Sequence, residues 1–129
     1  MNEAKNIFPC RYSVTISVPA NGAGSDVIIF DPVADFEYWL LQGSSDQDVP
    51  TDIYNNNFTL QIRDTTTGRD FFSVVQPQVL AVGPGNRNVP EFRPVTFPGS
   101  TRLQIQVQDL SGNDSEITIT LVGYKIFIR

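Results

Sequence analysis

The chain has 129 residues, 40% hydrophobic and 18% charged, a composition that folds around one core and buries roughly two thirds of the unfolded surface. Nine Lys and Arg against fourteen Asp and Glu give a net charge of −5 with no basic run, which argues against a nucleic-acid partner, because counterion release needs clustered cations. One cysteine and no histidine exclude an intrachain disulfide, a cysteine metal cluster and histidine-based catalysis.

Residues 1–11, MNEAKNIFPCR, lack the apolar core of a signal peptide and read as an extended N-terminal arm able to reach a neighbour by strand addition. No segment approaches the about eighteen apolar residues of a membrane helix, so the expectation is a soluble chain made in a cytoplasm, without a membrane partner. Cys10 is expected to serve as a small buried hydrophobe. RYSVTISV then alternates, with Tyr12, Val14, Ile16 and Val18 on one face and Arg11, Ser13, Thr15 and Ser17 on the other, before PANGAGS turns the chain. DVIIF follows at 26–30, and Asp31-Pro32 breaks it.

FEYWLLQG, residues 36–43, poses the main question of the sequence. As a regular strand it puts Phe36, Tyr38 and Leu40 on one face and Glu37, Trp39 and Leu41 on the other, so both faces are largely apolar and the second needs a cover. That cover is either a loop of the same chain or a partner subunit.

After the loop SSDQDVPTDIYNN, NFTLQIRD points Phe58, Leu60 and Ile62 inward and Thr59, Gln61 and Arg63 outward, and TTTGR leads into DFFSVV as a hairpin. Residues 77–98 carry repeated prolines among Val79, Leu80, Val82, Val89, Phe92, Val95 and Phe97, which predicts an ordered loop or an edge strand, because proline donates nothing to a ladder. TRLQIQVQDL alternates Leu103, Ile105 and Val107 with Gln104, Gln106 and Gln108. In EITITLVGYKIFIR the apolar phase flips at Gly123, which predicts a bulge there that returns Ile126 and Ile128 to the inner face and turns Phe127 outward. The sum is an all-β single domain over 1–129, an antiparallel β-sandwich of about eight strands without helices, jelly-roll-like or alternatively immunoglobulin-like.

Chemistry is sparse. Asp31, Asp35 and Glu37, and Asp46, Asp48 and Asp52, are close enough in sequence for carboxylate pairs, but such clusters read as solvated loop charges. Asp109 to Glu116 offers oxygen ligands without matching the EF-hand template and reads as a polar turn, and Asn57 and Asn113, in sequons, read as turn residues too. No catalytic residue, cofactor or metal site is expected. The expected functional residues are instead an apolar interface of Trp39, Leu41, Val79, Leu80, Phe92, Phe97 and Phe127.

The stretch FPGSTRLQIQVQDLSGNDSEITITLVGYKIFIR, with its terminal GYK-aromatic strand, and FTLQIRDTTTGRDFF before it, resemble small accessory proteins of tailed-bacteriophage virions of the jelly-roll decoration or cement type. The resemblance covers most of residues 56–129. It implies a non-catalytic virion protein, assembled in the host cytoplasm, that binds the major capsid protein as a homo-oligomer, dimer or trimer, and stabilises the shell. Two alternatives use the same fold. One is a carbohydrate- or receptor-binding module stacking Trp39, Tyr38, Tyr54 or Phe92 on a sugar, with calcium at Asp109 or Asn113, and the other is a head-tail or baseplate component.

Overall fold

A computed structural model describes residues 5–52, 55–82 and 90–128, with the backbone alone for residues 5, 90–94 and 128. Among the described residues the chain forms β1 (Lys5–Val18), β2 (Ala23–Ile29), β3 (Asp35–Ser45), β4 (Phe58–Asp64), β5 (Arg69–Asp70), β6 (Gln76–Pro77), the single-turn helix α1 (Gln78–Val82), β7 (Pro90–Phe97), β8 (Arg102–Asp109) and β9 (Ser115–Ile128). All ladders are antiparallel, pairing β1 with β9, β2 with β8, β3 with β7, and β4 with β5 and β6. That is one long ribbon doubled back at the β4–β5 turn. Rolling it brings β9 beside β3 and β8 beside β4, which closes a first sheet of order β1-β9-β3-β7 and a second of order β2-β8-β4-β5 with β6 also on β4. The strand order is that of a jelly roll, not of the immunoglobulin-like alternative.

Alternation builds the core. Phe58, Leu60 and Ile62 of β4 and Leu103 and Ile105 of β8 face Ile117, Ile119 and Leu121 of β9, all fully buried, while Gln106 and Gln108 stay on the outside. Tyr12, Phe30, Phe36 and Phe97 close one end of the core, with ring centroids 4.6 to 5.7 Å apart.

Four expectations change. The bulge lies in β3 rather than β9: Tyr38 pairs with Gly123 and Leu40 with Val122, so Trp39 is the extra residue, while β1 runs along β9 without a break. The phase of β3 shifts there, which buries Phe36, Tyr38 and Leu41 and turns Glu37, Trp39 and Leu40 away from the core. Glycine 123 is what permits it, because a Cβ there would run into the carbonyl oxygen of Glu37 and lie 2.9 Å from its carbon. Second, the N-terminal stretch from Lys5 is not a free arm but the first half of β1, paired with β9 as far as Ile128.

Third, the partner of β4 is short. After Arg69–Asp70 the chain leaves the ladder, and the buried Gln61 amide replaces a strand, accepting from the Phe72 N–H at 3.2 Å and donating to the Phe72 carbonyl at 2.9 Å. Gln61 is thus covered rather than solvated. Fourth, α1 interrupts the expected loop, with Val82 in the core and Gln78 buried beneath it. Gln78 accepts from Asn57 N–H at 2.8 Å and donates to Asp48 at 3.1 Å, which ties the helix to the β3–β4 loop. The rest of the 77–98 segment that is described is the edge strand β7, lying beside β3 rather than over its outer face.

Candidate interface

The bulge creates a surface. On the outer side of the first sheet the register stacks Ile7 against Ile126, Pro9 against Tyr124 and Arg11 against Val122, and β3 brings Leu40 beside Val122. Trp39 stands among them, 41% exposed, its ring edge-on to Tyr124 at 6.2 Å and 80°, and its Nε1 donating to Glu37 Oε1 at 2.7 Å. Pro9, Arg11, Trp39, Leu40, Val122 and Tyr124 thereby enclose a groove of about 290 Å³ floored by Cys10 and Gly123. The Glu37 bond fixes the indole, so the groove is held open before anything enters it.

Strand length leaves a second apolar feature next to the groove. β1 and β9 each have 14 residues whereas β2 has 7 and β8 has 8, so the end of the β1–β9 ribbon projects past the second sheet. Without that cover Ile7 and Phe8 are both more than half exposed, although they point to opposite faces, and Phe8 meets Phe127 edge-on at 5.9 Å. At the root of the projection Lys125 Nζ lies 3.4 Å from Asp31 Oδ2 and 5.4 Å from the centre of the Tyr12 ring, and the Tyr12 hydroxyl accepts from Asp31 N–H. The Val33 N–H and then Lys125 hold the Asp31 carboxyl below its usual range; Lys125 is shifted up, burial notwithstanding, by Tyr12 and Asp31. Burial pushes the nearby Cys10 thiol up, which makes it a poor nucleophile.

The expected interface residues divide accordingly. Trp39 is on the surface and Phe127 is half-buried under Phe8. Leu41 and Phe97 are core residues, because the bulge rotates the first inward and the second stacks on Phe71. Val79 and the 69% exposed Leu80 are on α1, and the side chain of Phe92 lies outside the described residues, as do Val89 and Tyr54. Ile7, Phe8, Pro9 and Tyr124 were missed; for the first three the signal was present, an apolar IFP that belongs to the same strand as RYSVTISV.

Carboxylates have other work. Asp109 accepts from Asn21 N–H, Ser111 N–H and Oγ–H, Gly112 N–H and Ser115 Oγ–H at 2.6 to 3.2 Å, so it organises two turns. Its burial favours the neutral acid, yet the Ser111 hydroxyl and the Asn21, Ser111 and Gly112 N–H groups outweigh that and hold the carboxyl far below the usual range. Asp46 and Asp114 likewise accept from Glu116 N–H and Ala20 N–H. Among the described residues no group of three or more acids and Cys is placed to hold a metal ion.

Comparison with known proteins bears on the fold. The chain is similar in structure to a chain of a cyanophage Pam1 capsid asymmetric unit, with a TM-score of 0.51 and 17% identity over 93% of this chain and 85% of that one. A weaker likeness, TM-score 0.40 and 11% identity over 89% of this chain and 96% of the other, is to the Drosophila NLP core. No family model matches the sequence, and no curated protein matches it.

Proposed function

We propose that the chain is a non-catalytic structural protein of a phage virion, a decoration or cement protein that binds the major capsid protein and stabilises the shell. The observation that carries the reading is the paired apolar surface on one end of the first sheet, the Trp39 groove and the projecting β1–β9 ribbon. A groove walled by Trp and Tyr with Arg at the rim has the composition of binding hot spots, and a ribbon apolar on both faces is a feature that assemblies cover. The fold shared with a chain from a cyanophage capsid asymmetric unit supports the same reading. Capsid proteins of the phage that encodes the chain are the partner, and the virion is the location.

The carbohydrate-binding alternative retains Trp39 as a stacking platform, but Tyr38 is in the core and the Asp109 oxygens are taken up by the turn. Co-sedimentation with shells of the encoding phage separates the two. The wild-type chain is expected to pellet with shells and Trp39→Ala to remain in the supernatant, whereas calcium-dependent glycan binding without shell binding would replace the cement reading with the lectin one.

A further inference from the structure

The four strand edges of the sandwich are treated unequally. The β5 and β6 edge is cut into two-residue pieces, and β7 carries Pro90 and Pro94. On β2 the Asp26 side chain accepts from the N–H of Val27 at 2.8 Å, so that donor is already used. These are the ordinary defences against edge-to-edge pairing. The remaining edge, β1, is a 14-residue strand that pairs with β9 on one side and, among the described residues, with no strand on the other.

Proline tells which backbone groups lie on that open side. Pro9 pairs with Tyr124 inside an unbroken ladder, and a residue without an N–H fits there only where its nitrogen faces away from the neighbour. The odd-numbered residues of β1 therefore present their N–H and C=O groups to the free edge. Their side chains do not intercept them, since the Ser13 hydroxyl bonds Thr120 at 2.6 Å and the Thr15 hydroxyl bonds Thr118 at 2.9 Å across the sheet. Pro9 limits the open stretch at one end. At the other β2 draws in, a Cβ on Gly24 falling 3.5 Å from the Ser17 carbonyl oxygen. What remains is Arg11, Ser13 and Thr15, a run symmetric about Ser13.

We propose that two copies of the chain pair through this edge, antiparallel about a two-fold axis at Ser13, joining their first sheets into one continuous sheet. Ser13 then meets its own copy, and Arg11 meets Thr15 twice, giving about six backbone hydrogen bonds with no like charges opposed. An isologous contact needs a surface complementary to itself, and a free edge centred on one residue provides that. The contact is small, so the dimer is concentration-dependent.

The axis makes a register test. In such a pair the Ser13 Cα atoms lie about 5.5 Å apart, within disulfide reach, whereas the two Thr15 positions are about 14 Å apart. In a Cys10→Ser background, mild oxidation is expected to give a disulfide dimer from Ser13→Cys and none from Thr15→Cys. By light scattering the mass of the wild-type chain is expected to double as concentration rises. Ser13→Pro, which removes an edge N–H and the exposed hydroxyl bond to Thr120 but no backbone β1–β9 bond, is expected to stay at the monomer mass. Equal cross-linking by both cysteine variants, or a dimer that survives Ser13→Pro, would overturn the proposal. So would a chain that stays monomeric in solution and whose Ser13→Cys variant has its new thiol shielded only on shells, which would assign the edge to a capsid strand. The free chain is the sample in the solution measurements, so the pairing can fail without bearing on capsid binding.

Discussion

Replacing Gly123 with alanine tests how the Trp39 groove is made. The new Cβ would overlap the Glu37 carbonyl oxygen, sit 2.9 Å from its carbon and 3.1 Å from Phe36 Cζ, and the first two are backbone atoms that no rotamer change can move. Strand β3 must therefore retreat from β9 at the bulge. Overpacking of this kind costs about 1–3 kcal/mol, and loosening two flanking ladder bonds adds about 0.5–1.5 kcal/mol each. A total of about 2–6 kcal/mol is a large part of the stability of an ordinary small domain. Gly112→Ala is the control: it has open space but a φ of +78°, so it should cost only about 1 kcal/mol. Urea unfolding gives both numbers. Fluorescence gives the local one, because Trp39 is the single tryptophan, and its emission should move to the red in Gly123→Ala as the groove opens. A Gly123→Ala chain as stable as Gly112→Ala, with unshifted emission, would refute the close approach and with it the bulge.

Three further outcomes are expected. Trp39→Ala should cost about 2 kcal/mol, since the indole is only partly covered, against about 4 kcal/mol for the fully buried Phe36→Ala; equal losses in urea would make Trp39 a core residue. Asp109→Ala strands the Asn21, Ser111 and Gly112 N–H groups and should cost about 2–4 kcal/mol at neutral pH. Because the folded-state pKa of Asp109 is depressed, its contribution is present above the unfolded value of about 4 and is lost as pH falls below it, so the gap between wild type and variant should narrow in acid. Gln61→Leu removes the amide that stands in for a strand, so limited proteolysis should cut residues 71–75 faster than in the wild type while β4 itself stays protected.

Much of this fold was legible because most strands obey a period of two. RYSVTISV, NFTLQIRD and TRLQIQVQDL each show their inner face directly, and Leu103, Ile105 and Val107 are buried as their spacing predicts. The jelly-roll order was not legible, since it depends on which strands meet after the ribbon rolls. The phase flip in β9 does not mark a bulge in that strand: β9 runs along β1 without a break, so Ile126 stays on the outer side with Tyr124, Phe127 keeps the inner parity, and the extra residue is in β3. Gly123 supplies the space and Trp39 takes the bulge. That is also why FEYWLLQG has two apolar faces: it changes phase in the middle, so Leu41 joins the core and Leu40 leaves it. Ile7 and Phe8 fall within the 1–11 stretch that the sequence presents as an arm ahead of the alternating run, with Pro9 beside them. In an edge strand with its nitrogen outward, that proline interrupts nothing.

The central claim is that this surface holds a capsid shell together, and the thermal stability of the shell tests it most directly. Empty shells of the encoding phage are melted alone, with the wild-type chain, and with Trp39→Ala. The expected result is a higher melting temperature with the wild-type chain at saturating occupancy and no rise with the variant. Shells that melt at the same temperature in all three samples, while the chain remains folded and free in solution, would contradict it.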